Sequence, residues 1–240
     1  MRTRILIAFL FLASAAQSAE AQDSSNVCTF GDLSGRMCLL HMSGGLYLKA
    51  LLVHKPEALP LADNVKFTED GVEKKLGEGL WKTITKIRGT PPPQEIVDVR
   101  QGVAVTFAAV EENAVPALMV ARLKIVESKI TEVETMITRG QKEGMIFDVD
   151  SVNSYVGMKR VPLKSELSSR EDMIRIAEQY PQGLKAGSFV TVDVPFAGDA
   201  YRAENGRLMA GPGCTFSEGC DNIKTQRPEL PTGLRPWTKN

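Results

Sequence analysis

The chain has 240 residues, 43% of them hydrophobic and 24% charged, which is the composition of a globular protein with one large domain or two small ones. Its 29 basic and 29 acidic residues cancel, and no basic stripe interleaved with aromatics occurs, so nucleic acid is not an expected partner. Beyond the N-terminal segment no apolar run is long enough to span a bilayer, so no membrane association is expected there.

That N-terminal segment reads as a secretory signal over residues 1–21. Arg2 and Arg4 precede the apolar run Ile5–Ala13, and Ala19-Glu20-Ala21 supplies a small-x-small cleavage site. The mature chain is expected to start near Gln22, and the protein to be secreted or extracytoplasmic. Its four cysteines, Cys28, Cys38, Cys214 and Cys220, form an even set, which in an exported chain points to disulfides. Local pairing closes a short loop at each end, whereas cross pairing staples the N-terminus to the C-terminal segment. Both stay open, with a slight lean to the local one. Two histidines, His41 and His54, and no Cys-x-x-Cys pair speak against zinc. No metal and no cofactor is expected.

Residues 22–36 are polar and read as loop. Met37–Val53 carries apolar residues at helical spacing (Leu39, Leu40, Leu46, Tyr47, Ala50, Leu51), although Gly44-Gly45 weakens its start. The helix should end before Pro56. Val65–Thr68 alternates as a strand, Asp70-Gly71 marks a turn, and Gly77–Ile84 reads as a short helix anchored by Trp81. After Pro91-Pro92-Pro93 come four strands, Glu95–Arg100, Val103–Val110, Ala117–Val126 and Ile130–Thr138. Their short connections predict an antiparallel meander and an α+β fold.

A polar linker over 141–165 separates this unit, 22–140, from a second one, 166–240. Ser168 or Ser169 can cap a helix there, with Glu171 and Asp172 in its first turn. Ile174, Ile176, Ala177, Tyr180 and Leu184 should form its core face, and Pro181 should shorten or kink it. One phrase occurs twice, at Leu59–Gly71 and Val194–Gly206, and Tyr180-x-x-x-Leu184 mirrors Tyr47-x-x-x-Leu51. The second unit therefore reads as an incomplete helix–strand repeat, since the Pro- and Gly-rich residues after Gly206 cannot supply another meander.

Tyr47–Leu51, His54-Lys-Pro56, Leu59–Gly71, Leu76–Trp81, Arg122–Ile125 and Ile130–Thr135 resemble a secreted SnoaL-like family, common in fungi and often called a domain of unknown function. The second phrase, with Arg202-x-Glu-Asn-Gly206, matches the family's second half, so the resemblance covers roughly 36–206. It implies the cone-shaped α+β fold of nuclear transport factor 2 and ketosteroid isomerase. In that fold a curved antiparallel sheet wraps a helix, a pocket lies at the open end, and many members form homodimers. The fold hosts isomerases, cyclases, dehydratases, epoxide hydrolases and inert binding modules, so it does not fix a reaction.

The most pointed polar residues are Arg122, Glu132 and Glu134. Glu132 and Glu134 share a strand face, and Arg122 is in phase with Leu118 and Val120. If those faces line the cone, a carboxylate becomes a candidate general base with Arg122 as its electrostatic partner. The plainer reading is a structural Arg–Glu pair on a solvated face. Trp81, Tyr47 and Phe107 are the candidate ligand contacts, with core anchoring the plainer role for Trp81. His54 should cap the first helix, and His41 should pack or lie at the surface. Asp98 should face solvent, with a pocket acid as the other reading. Asp63, Glu69, Asp199 and Glu204 recur in the repeated phrases and should do structural work. No Ser-hydrolase elbow, P-loop or dinucleotide fingerprint occurs.

The expected function is therefore binding of a small apolar organic ligand, and whether the pocket also catalyses cofactor-free proton transfer (isomerisation, cyclisation or dehydration) stays open. The alternative is a non-catalytic extracellular structural or interaction module. An enclosed cavity lined by Arg122 and Glu134 favours the first, and a filled interior with both residues in solvent favours the second.

Overall fold

A computed structural model of the chain describes residues 28–90, 92–144, 146–152 and 160–226. The expected signal peptide lies outside them. The described residues adopt an α+β fold. Strands β1 (Thr29–Phe30) and β2 (Leu33–Ser34) lead into one continuous helical run made of α1 (Gly35–Leu40), a π-helical stretch (His41–Tyr47) and α2 (Leu48–Leu52). The run matches the helix expected over 37–53, and the two glycines fall in its π-helical stretch. There the buried Ser43 hydroxyl donates to Glu95 Oε1 at 2.6 Å.

The next elements are β3 (Leu61–Glu69), β4 (Val72–Lys74), α3 (Leu80–Thr83), β5 (Ile84–Ile87), β6 (Gln94–Asp98), β7 (Val103–Glu112), β8 (Val115–Val126) and β9 (Lys129–Thr138). They form a seven-stranded sheet in the order β4-β3-β9-β8-β7-β5, with β6 also on β7. The meander β6–β9 is antiparallel, as its short turns require. The sheet as a whole is mixed, because β3 runs parallel to β9. The expectation of a purely antiparallel sheet rested on hairpin connections, and β3 reaches β9 through no hairpin.

Period-two alternation sorts the sheet into two faces. Ala117, Met119, Ala121, Leu123 and Ile125 of β8 are buried against the helical run, while Val120, Arg122, Lys124 and Val126 face away. Leu39, Met42, Tyr47, Leu51, Phe67, Trp81 and Val133 complete that core. Trp81 meets Tyr47 edge-on, with ring centroids 5.5 Å apart, an arrangement that adds to the area both rings bury.

After α4 (Gln141–Gly144), the second unit holds α5 (Arg170–Ala186) and a hairpin of β10 (Arg202–Glu204) and β11 (Arg207–Ala210). The Ser169 hydroxyl caps α5 by accepting from Asp172 N at 3.0 Å. The helix continues through Pro181 rather than stopping there, and ends at Gly187 in the left-handed region. Tyr180, Leu184 and Phe196 pack around Phe189, Val194, Ala210 and Ile223. Ile174 and Ala177, expected in the core, are exposed. Among the described residues its apolar packing runs through Tyr180 and Leu184, in its C-terminal half.

Both disulfides are local, Cys28–Cys38 and Cys214–Cys220. They suit an oxidising, extracellular setting, and no helix among the described residues is long and apolar enough to cross a membrane.

Candidate functional site: a cleft on the outward face of the sheet

Arg122, Glu132 and Glu134 do come together. Arg122 stands opposite Glu134 across β8–β9, and Glu132 and Glu134 stand opposite Lys66 and Thr68 of β3. Arg122 Nη1 lies 2.9 Å from Glu132 and 3.9 Å from Glu134. The group occupies the outward face, however, not the helix-facing interior where a pocket base was expected. The side chains are 35%, 47% and 50% exposed. With Lys66, Thr68 and Gly71 they line a shallow polar depression of about 270 Å³. The strand phase dictates this, since β8 turns its Ala, Met, Leu and Ile residues toward the helix. An ion pair so exposed contributes roughly 0–1 kcal/mol.

The helix-facing side of the sheet carries one continuous cluster of buried side chains. Tyr47 and Trp81, expected as ligand contacts, are buried against each other. His54 Nδ1 bonds the Trp81 carbonyl at 2.5 Å, so its side chain braces α3 instead of capping the first helix. His41 packs on Phe30. Glu69, 2% exposed, accepts from Leu80 N at 2.7 Å and from Lys74 Nζ at 2.7 Å. It holds the start of α3, which is structural work of the kind expected of it.

The Tyr47 hydroxyl lies 3.4 Å from Thr135 Oγ1. Burial, opposed by that contact and aided by the Glu69 carboxylate, pushes its phenol from 10.0 up to about 12. A folded value above the unfolded one stabilises the fold fully below pH 10, and this contribution is lost as pH rises through 12. It amounts to about 2–3 kcal/mol. The stability difference between the wild type and Tyr47→Phe should therefore be flat up to pH 10 and change steeply toward pH 12. Urea midpoints measured across that range check it, and a parallel decline in both proteins rejects Tyr47 as the group responsible.

The second unit lies over the outward face, held directly at one end and through the linker at the other. At one end Arg170 Nη2 of α5 donates to Asp98 Oδ2 at 2.6 Å. Burial raises the Asp98 carboxyl, but the Arg170 hydrogen bond and charge together with the Gln101 and Arg100 amides outweigh it and hold the group below the usual carboxylate range. Asp98 is thus a half-buried tether, neither solvent-facing nor a pocket acid. At the other end Phe147, Val149 and Val152 pack on Ala109 and Leu118. Asp148 N donates to Asn205 O at 2.8 Å, and Arg88 pairs with Asp150 at 2.6 Å.

Between these contacts lies a cleft of about 320 Å³. Phe107, Val120 and Met136 pave its floor, and Val152, Ala203 and Asn205 contribute walls. Phe107 is the candidate ligand contact that the structure places at an opening. Val120 and Met136 were readable as outward positions of alternating strands. Their role in a cleft depends on where the second unit docks, which no local pattern carries.

Residues 166–236, within the second unit, match the family described as a domain of unknown function, DUF8021. No curated protein matches the chain. Among solved structures it is similar to AclR of Streptomyces galilaeus, a provisionally assigned hydroxylase. The identity is 13% over 45% of this chain and 83% of that one, with a TM-score of 0.31.

Proposed function

We propose that this chain is a secreted, non-catalytic binding protein of SnoaL-like architecture that holds a small apolar organic molecule on the outward face of its sheet. The cleft carries this reading. Its 320 Å³ falls within the roughly 300–1,000 Å³ typical of small-molecule sites, and its lining is mainly apolar. No ionisable side chain lines it among the described residues, so its chemistry is retention rather than proton transfer. The buried cluster on the helix-facing side and the outward Arg122, Glu132 and Glu134 favour the same reading over an interior acid–base site. The signal-like N-terminus and two disulfides support secretion. A helix preceding a sheet whose last strands form a meander supports the SnoaL-like resemblance.

The test is a fluorescence titration with N-phenyl-1-naphthylamine, a neutral apolar probe. Saturable binding is expected, and Met136→Asp should weaken it about tenfold or more by setting a carboxylate in the apolar floor. Met136 is exposed, so the variant should fold normally by circular dichroism. No saturable binding by the wild type would overturn the proposal.

A further inference from the structure

We infer that the ligand of this cleft is an amphipathic anion, and that Arg122, Thr68 and Lys66 receive its charged group. The inference rests on the binding role proposed for the cleft.

Register places the two depressions side by side. Phe107, Val120 and Met136 form one cross-strand row of the outward face. The next row on the same face is Val105, Arg122, Glu134 and Thr68, and the one after it holds Lys124, Glu132 and Lys66. Rows two residues apart are separated by about 7 Å along a strand. An aromatic body lying on the first row therefore brings a directly attached acidic group to the second. The apolar cleft and the polar depression are two ends of one surface, both floored by β8 and β9.

The charges there favour an anion. Lys66, Arg122 and Lys124 outnumber Glu132 and Glu134. Arg122 donates a hydrogen bond through Nη1, to Glu132, and its Nε and Nη2 make no hydrogen bond among the described residues. A guanidinium has five N–H donors in a fixed fork and can serve a second oxyanion beside Glu132. The Lys66 ammonium and the Thr68 hydroxyl likewise have no partner among the described residues. Both border the same depression. Lys124 is occupied, since its Nζ donates to Gln101 O, so it adds field rather than a contact. The site is partly exposed, so the attraction must weaken with salt.

Two probes with the same body separate the claims. 8-Anilinonaphthalene-1-sulfonate is N-phenyl-1-naphthylamine with a sulfonate added. At low salt the sulfonate should bind about tenfold more tightly than the neutral probe, and the ratio should shrink as salt is raised. Lys66→Gln removes a cation without stranding a partner, and should cut the ratio severalfold. Arg122→Met should bring it close to one, while Glu134→Gln should raise it. Equal affinities for the two probes in the wild type, or a ratio unmoved by both Lys66→Gln and Arg122→Met, overturns the anion inference and leaves the cleft standing. Failure of the neutral probe to bind saturably overturns the cleft itself, so the two failures are distinguishable.

Discussion

Glu69→Ala is expected to destabilise the sheet–helix unit by about 3–5 kcal/mol, a large share of the 5–15 kcal/mol that typically holds a domain together. Glu69 is almost fully buried, and its two oxygens are committed to different jobs. Oε2 accepts from the Leu80 amide at the start of α3, and Oε1 takes the Lys74 ammonium. Arg139 stands 3.7 Å from Oε1 and also bonds Glu112 and Asp70. Removing the carboxylate leaves a buried N–H without an acceptor and two cations with less compensation. The backbone is built around this group, because a Cβ on Gly79 would come within 2.3 Å of Oε1. The residue after Leu80 is Trp81, so a loosened α3 also loosens the largest anchor of the core. Glu69→Gln keeps the volume and an acceptor for Leu80 and loses only the ion pair. It should cost about 1–2 kcal/mol. Urea unfolding of both variants separates the contributions. A wild-type midpoint for Glu69→Ala would mean that α3 needs no such brace.

Local physics made much of the first unit readable. The turn at Glu127-Ser128 has positive φ at both residues, as a tight two-residue hairpin requires. It sets Val126 against Lys129 and Ile125 against Ile130, and a one-residue bulge at Thr131 then sets Arg122 against Glu134. The turn alone would have set Arg122 against Val133, so the meeting of the charges depends on the bulge as well. The face they occupy needed a further step, because a period-two pattern fits either face until something covers one of them. The signal was present in the alternation itself, since Ala121, Leu123 and Ile125 are the apolar partners of Arg122 and Lys124 in β8. The parallel β3–β9 pairing had no local signal, because 59 residues separate the strands. The same limit applies to α5. Ser169 could be read as its cap, since capping is a contact between near neighbours. The exposure of Ile174 could not be read, because helical period says which residues share a face and not whether anything lies on it. The cleft is the extreme case, as its tether joins Asp98 to Arg170, 72 positions apart.

Gly206→Ala should separate the second unit from the sheet and abolish most of the cleft's affinity. The Asn205-Gly206 turn of the β10–β11 hairpin has φ 47° and 88°, and the Asp70-Gly71 turn between β3 and β4 has φ 51° and 77°. The two glycines close the same words of the repeated phrase, yet their surroundings differ. A Cβ on Gly71 would meet nothing within 4 Å. Gly71→Ala should therefore cost only the left-handed penalty, about 1–2 kcal/mol. A Cβ on Gly206 would sit 1.8 Å from the Asp148 carbonyl oxygen and 3.1 Å from Val152 N. These are backbone atoms, so no side-chain rotation relieves the overlap. The hairpin must lift, breaking the 2.8 Å bond from Asp148 N to Asn205 O. The overlap adds about 1–3 kcal/mol to that same penalty, and it is paid where the second unit docks. Gly206 and Val152 both line the cleft, so affinity for N-phenyl-1-naphthylamine should fall at least about tenfold in Gly206→Ala and much less in Gly71→Ala. Limited proteolysis should then cut between the units first. If Gly206→Ala binds the probe as the wild type does, the second unit does not wall the site. The floor of Phe107, Val120 and Met136 would then have to hold the ligand alone.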